Sequence, residues 1–505
     1  MRLVLLTIFA ATLHAAAIRG VVLEHSTGHP LARALVVVQP IAGTNGAPQS
    51  VRTDGHGAFD IGPLAAGAYL VLASRRAFAP MQYGQKQWKS AGTPVVLEEN
   101  GATFLTIRLQ RFGAITGTVL DENDVGLQEH DVVAYRNTRP PVLVARGKTD
   151  DRGVYRIGGL EPGSYLIRTV GKRYDEGDYL PTFSRETARV DEARPVEVQL
   201  DQESIDAHVR PFAGRLFTLA GRAITSPQVQ VSLTLVSDLG IENSVSDSQG
   251  NFKFPPTAPG VYELYATAQT NRRYNGLVSS VNAAYQILSL DRDTSDHRIA
   301  LGALPELRLA VEDTQGQPMD LRTVQILYRH KDLSGEGKTE TLRAPEGRVT
   351  LPPGRYDFAL APSPNYYTAA FTGPRSDIGG RGRPDGWNEA VVNGPGDLKF
   401  VLSPRPATVH GIARNAARDA VPGVPVFLEA YDTDTRRRVA DVRAIRTDTR
   451  GQFEFYGLAP GVYRLLSTFE FQMPDQLQMD AANPRLIRIA EAQNLETDLD
   501  LYVIR

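Results

Sequence analysis

Apolar and polar positions alternate with a period of two in one short stretch after another. Phe59-Asp60-Ile61, Tyr155-Arg156-Ile157, Phe252-Lys253-Phe254 and Phe453-Glu454-Phe455 each put two large apolar side chains on one face of an extended strand. Tyr69-Leu70-Val71-Leu72, Tyr165-Leu166-Ile167 and Tyr463-Arg464-Leu465 open further strands of this kind. Val-rich runs at Ala34 to Val38, Asp131 to Ala134 and Val424 to Leu428 add more, and Phe104 to Leu109, Val196 to Leu200, Leu398 to Leu402 and Leu499 to Val503 close each group. No long amphipathic helical pattern interrupts them. The predicted fold is all-β.

The turns between these strands repeat. Thr53 to Phe59, Thr149 to Tyr155, Ser246 to Phe252 and Thr447 to Phe453 align without gaps. Each carries an Asp, a Gly three residues later and an aromatic two residues after that: Asp54 and Gly57, Asp150 and Gly153, Asp247 and Gly250, Asp448 and Gly451. The Asp can accept backbone N–H bonds, and the Gly supplies a positive φ for the hairpin. A Gly-x-Tyr follows at a constant distance, ending in Tyr69, Tyr165, Tyr262 and Tyr463. A Tyr placed there can bond backward to the chain, as in a tyrosine corner. A degenerate fifth copy ends in Gly354-Arg355-Tyr356, with Glu346-Gly347 where the Asp turn should finish. The final Tyr residues step by 96, 97, 94 and 107. That period is the size of an immunoglobulin-like sandwich, not of a solenoid repeat. The expected organisation is a leader at 1–17 and five sandwiches at 18–111, 112–205, 206–303, 304–404 and 405–505, the fourth degenerate. With almost no linker between them, they should form a stiff string of beads.

The succession Gly-x-Val, Thr-Asp-x-x-Gly-x-Phe and Gly-Leu-x-Pro-Gly-x-Tyr resembles the carboxypeptidase regulatory-like domain. Thr149 to Tyr165 and Thr447 to Tyr463 match it best. The resemblance implies a transthyretin-like β-sandwich related in shape to Cna-B-type modules. Such modules serve as spacers, interaction modules or carbohydrate-binding folds beside other activities. It therefore specifies fold more strongly than function.

Composition narrows the function. Charged residues make up 22% of the chain and hydrophobic ones 42%, a globular balance. The net charge is −2, with no basic block to serve as a footprint for nucleic acid. Arg2, the apolar Leu3 to Leu13 and the small residues Ala15 to Ala17 read as a secretory signal with the mature chain starting at Ile18. No later stretch is long and apolar enough to span a membrane. There is no cysteine, which removes disulfides and thiolate chemistry. The expected location is exported: periplasm, cell envelope or secreted.

No catalytic pattern emerges. The nine His residues form no His-x-x-Glu or His-Glu-x-x-His pair, and His25, His29 and His56 read as loop residues rather than a metal site. The acidic run Asp121 to Gly126 lacks the EF-hand spacing and reads as a turn. No metal or cofactor is expected. The distinctive chemistry is aromatic. Tyr83 and Trp88, then Tyr179 and Phe183, then Tyr366, Tyr367 and Trp387 lie in the long stretches that follow the Tyr strands. Aromatics on sandwich loops stack on sugar rings, anchor a protein partner, or fold back as lids over the open end of the sandwich. The chain thus reads as a non-enzymatic structural or protein-interaction scaffold, its partner an envelope protein or a polysaccharide. Carbohydrate binding through these aromatics is the first alternative, and an enzyme with an unrecognised site the second.

Overall fold

The computed structural model describes residues 16–504, apart from 42, 139–140, 238–239, 274–276, 332–337, 343, 345 and 375–382. The leader expected at 1–17 lies outside the described residues up to position 15. Ala16 and Ala17 open the first strand, Ala16–Glu24, and are buried in it, two residues ahead of the expected mature start.

The chain is almost entirely β and falls into tandem sandwiches, each with its own apolar core. Five large clusters of buried side chains run from Ala16 to Leu109, Ile115 to Val209, Leu219 to Ile299, Leu307 to Leu402 and Ala407 to Leu499. The second cluster takes in Ala207 and Val209, because the stretch after residue 202 runs parallel to the opening strand Gly113–Thr118 as far as a bridge between Val119 and Val209. The closing edge of that module therefore lies beyond 205.

One wiring recurs. In the first module, Ala16–Glu24 pairs antiparallel with Ala58–Leu64 and parallel with Ala102–Leu109. The facing sheet holds Leu35–Pro40 between Gln49–Arg52 and Gly67–Ser74. The third, fourth and fifth modules centre Leu219–Ile224, Glu306–Asp313 and Ala407–Arg414 in the same way.

The turn motif is built as its residue types require. The Oδ1 atoms of Asp54, Asp150, Asp247 and Asp448 each accept two backbone N–H groups, two and four residues on, at 2.8–3.0 Å. Gly57, Gly153, Gly250 and Gly451 adopt φ of 72°, 73°, 91° and 75°. Asp121 spends its carboxylate on its own turn in the same manner, bonding the N–H groups of Asn123 and Val125.

The backward bond of the Tyr is present in all five modules. Tyr69, Tyr165, Tyr262, Tyr356 and Tyr463 donate to the carbonyl four residues earlier at 2.7–2.8 Å. Removing one such part-buried bond by Tyr165→Phe should cost about 1 kcal/mol, the usual net worth of a neutral hydrogen bond. A urea midpoint unchanged from the parent would show that this bond contributes nothing.

Candidate functional site: aromatic loops at the module joints

The loops after the Tyr strands must run back across the open end of a sandwich, so their aromatics meet either their own core or the next module. In the second module they meet the core. Phe183 is fully buried beside Val133, Tyr135 and Leu166, with the Arg168 guanidinium over its ring. Tyr179 is also buried and directs its hydroxyl to Glu122 at 3.2 Å. Neither presents a face to solvent.

His130, one of the scattered histidines of the sequence, lies fully buried beneath this lid. Its Nε2 is 2.9 Å from the Val170 carbonyl oxygen and its Nδ1 3.0 Å from the Tyr174 hydroxyl. Burial, reinforced by the Lys172 ammonium, lowers its pKa from 6.5 to about 4. The unfolded chain therefore takes up this proton at a higher pH than the folded one. The stability conferred by neutral His130 is complete above pH 6.5 and is lost as pH falls toward 4, by about 3 kcal/mol at the limit. Denaturation at pH 7 and at pH 4.5 should show this loss in the parent and a smaller one in His130→Asn. Equal slopes would mean that the site is not linked to folding.

In the first module the aromatics serve the joints. Tyr83 and Trp88 pack half-buried against the core, and Trp88 meets Phe112 of the second module edge-on at 6.0 Å. The neighbouring Lys89 pairs with Glu161 of the second module at 2.8 Å. Its carbonyl accepts the Gln472 N–H of the fifth module, and the Ala91 N–H bonds the Phe469 carbonyl. The two end modules thus touch, and the string of beads expected from the sequence is instead closed on itself. Cysteines at Gly43 and Thr449 should bridge these modules, with some backbone strain at Gly43 (φ 90°), because a Cβ on Gly43 would lie 2.8 Å from the Thr449 methyl, the place a cysteine sulfur would take. In a chain with no other cysteine, a monomer that migrates faster when oxidised is the expected result. Only intermolecular disulfides would contradict the contact.

The remaining joints are charged. Arg355 of the fourth module spans Glu263 of the third and its own Glu389, at 3.2 and 2.8 Å. Tyr265 and His330 meet edge-on across the same joint. Between the second and third modules, Asp178 holds Arg173 and accepts the Leu216 N–H, while Arg173 reaches the Leu216 carbonyl at 2.8 Å.

The joint between the fourth and fifth modules gathers three of the aromatics singled out in the sequence. Tyr366, Tyr367 and Trp387 line one cleft, faced by Leu428, Val442, Arg443 and Tyr463. Tyr366 is buried and bonds the Thr323 carbonyl. Tyr367 bonds Glu491 of the fifth module at 3.2 Å. Trp387 is half-buried beneath Arg329, whose guanidinium sits 4.2 Å from the ring centre and 3.6 Å from Asp441. Arg383 fastens the joint: it pairs with Asp385 through two bonds and donates to the Ala459 and Val462 carbonyls and the Tyr463 hydroxyl. The part of this loop at 375–382 lies outside the described residues. The seven aromatics therefore do not form one site: Tyr83 and Trp88 lie at the joint of the first and second modules, and Tyr179 and Phe183 are buried in the second.

Arginine latches such as Arg383 and Arg355 escape a sequence reading, because each also reaches partners in another module. Among the described residues no three His, Asp or Glu side chains gather as a metal requires, and no helix is long and apolar enough to cross a membrane.

The repeated wiring and the stitched joints define a multi-module β-sandwich protein. Its first module is a carboxypeptidase regulatory-like domain: residues 17–110 match that family's sequence model. A search among curated proteins finds no match. Similar solved structures include the minor pilin GBS52 of Streptococcus agalactiae, at 13% identity and a TM-score of 0.27 over 40% of this chain and 97% of that one. BcpA, the major pilin subunit of Bacillus cereus, aligns at 11% identity and a TM-score of 0.16 over 77% of this chain and 99% of that one. The pilus adhesin SpaC of Lactobacillus rhamnosus GG aligns at 13% identity and a TM-score of 0.17, covering 75% and 57% of the two chains.

Proposed function

We propose that this chain is an exported, non-catalytic scaffold that holds partners of the cell envelope or extracellular space at fixed positions. One observation carries the reading: ionisable and aromatic loop side chains are spent on fastening module to module. Glu263, Arg355 and Glu389 share one network, and Arg383, held by its own Asp385, ties three groups of the fifth module across another joint. Charge-assisted bonds at joints restrict relative module motion, which suits spacing rather than turnover.

Two measurements test it. Fractionation of cells making the full chain should find it outside the cytoplasm with its N-terminus trimmed; an intact Met1 in the cytoplasm would remove the export. Small-angle scattering should give one fixed particle dimension that grows in Arg383→Ala. A parent profile of independently tumbling modules would overturn the rigid scaffold.

A further inference from the structure

We propose that the cleft between the fourth and fifth modules binds one pyranose unit of a neutral glycan. This goes beyond the scaffold role, which needs no ligand there. The cleft holds about 180 Å³. A cavity of about 150 Å³ accommodates benzene, so this one admits a single six-membered ring and little more.

The walls match a sugar ring in chemistry. Trp387, Tyr366 and Tyr367 supply aromatic surface, against which the axial C–H face of a pyranose packs. Asp385, Asp441 and Arg443 share the same lining and offer acceptors and donors to ring hydroxyls. Asp441 is mostly exposed, and among the described residues its only ion pair is the long one to Arg329, which leaves oxygen lone pairs for a ligand.

Charge then selects among ligands. An anion entering the cleft faces two carboxylates, and a cation faces Arg443 beside Arg329 and Arg383. A neutral polyol hydrogen-bonds to both kinds of group and opposes neither. Rigidity is the last condition, since a small ligand cannot also supply the cost of assembling its own site. Arg383 holds the two modules together, and Gly457 packs so closely on Ser363 that an added Cβ would lie 2.3 Å from the Ser363 carbonyl oxygen.

The chain has two tryptophans, so a Trp88→Phe variant leaves Trp387 as the sole indole. Its emission is titrated with neutral oligosaccharides of glucose, mannose, galactose and xylose, beside a Tyr-rich peptide. The expected result is a saturable change with at least one oligosaccharide and none with the peptide. Asp441→Asn, at a mostly exposed side chain, should weaken that binding about tenfold while leaving the melting temperature in place. Calorimetry on Trp387→Phe and Trp387→Ala, each first shown to melt like the parent, should give reduced binding and none. Absence of any saturable change up to millimolar sugar, binding of the peptide alone, or glycan binding unaltered in Asp441→Asn and Trp387→Ala would each overturn the proposal. The scattering result bears on the scaffold separately.

Discussion

Gly411→Val should unfold the fifth module or destabilise it by about 3 kcal/mol or more, the upper range for overpacking a filled site. Gly411 sits in the opening strand between Phe453 on one side and the closing stretch on the other. A Cβ there would stand 1.9 Å from the Thr497 carbonyl oxygen. That oxygen belongs to backbone, so no rotamer change relieves the contact. Gly20, Gly117 and Gly221 face the same obstacle, with Cβ positions 2.1, 2.1 and 1.9 Å from the Leu105, Ala207 and His297 oxygens. All four glycines lie directly opposite the aromatic that follows the Asp turn: Phe59, Tyr155, Phe252 and Phe453. The fourth module solves the same problem in reverse. Leu307 occupies the strand position, the smaller Val349 faces it, and Gly396 lies opposite on the parallel strand. Calorimetry of the full chain should show the fifth module's transition lost or strongly lowered in Gly411→Val. Gly302→Ala, with nothing within 4 Å, should stay within about 0.5 kcal/mol of the parent. Similar curves for the two variants would refute the steric account.

Arg464→Met should cost about 3–5 kcal/mol, the usual penalty for orphaning a buried charge. Glu429 is completely buried and is held by Arg464 and Arg438. Arg464 also pairs with Asp480 and lies 4.1 Å over the Tyr431 ring. Asp480 belongs to the short helix Gln476–Ala481, so the network pins that helix against the outer face of the sheet. Without Arg464, the Glu429 carboxylate keeps its desolvation and loses its main partner. Neutralising it as well, in Arg464→Met with Glu429→Gln, should recover a large part of the loss in urea midpoint. A double variant no better than the single one would show that packing of the Arg464 stem, not its charge, carries the effect.

Much of the architecture was legible because it depends on neighbours in sequence. The Asp turn is satisfied within five residues and the Tyr hydroxyl reaches back four, so both geometries follow from local spacing. Even the degenerate module keeps the local parts, a positive φ at Gly347 and the Tyr356 bond, without its Asp. The helix Gln476–Ala481 also carries a local sign in its sequence: Asp475 and Gln478 form a capping box. The candidate site was less legible. Tyr366, Tyr367 and Trp387 could be named as loop aromatics, but not that they meet in one cleft, nor that Phe183 is sealed in a core.

By itself the sequence determined an all-β chain of repeated sandwiches, since a period of two and a turn of set length are short-range properties. It also determined that each module stands without disulfides, because no cysteine is present. Only the tertiary structure decided which aromatics are lids, which fasten joints and which line a cleft. It alone showed why the opening strands carry glycine, and that the first and last modules meet. Those features depend on contacts between residues tens to hundreds of positions apart, such as Gly20 with Leu105 or Lys89 with Gln472. Local alternation says which face of a strand is apolar; only the packed chain says what lies against it.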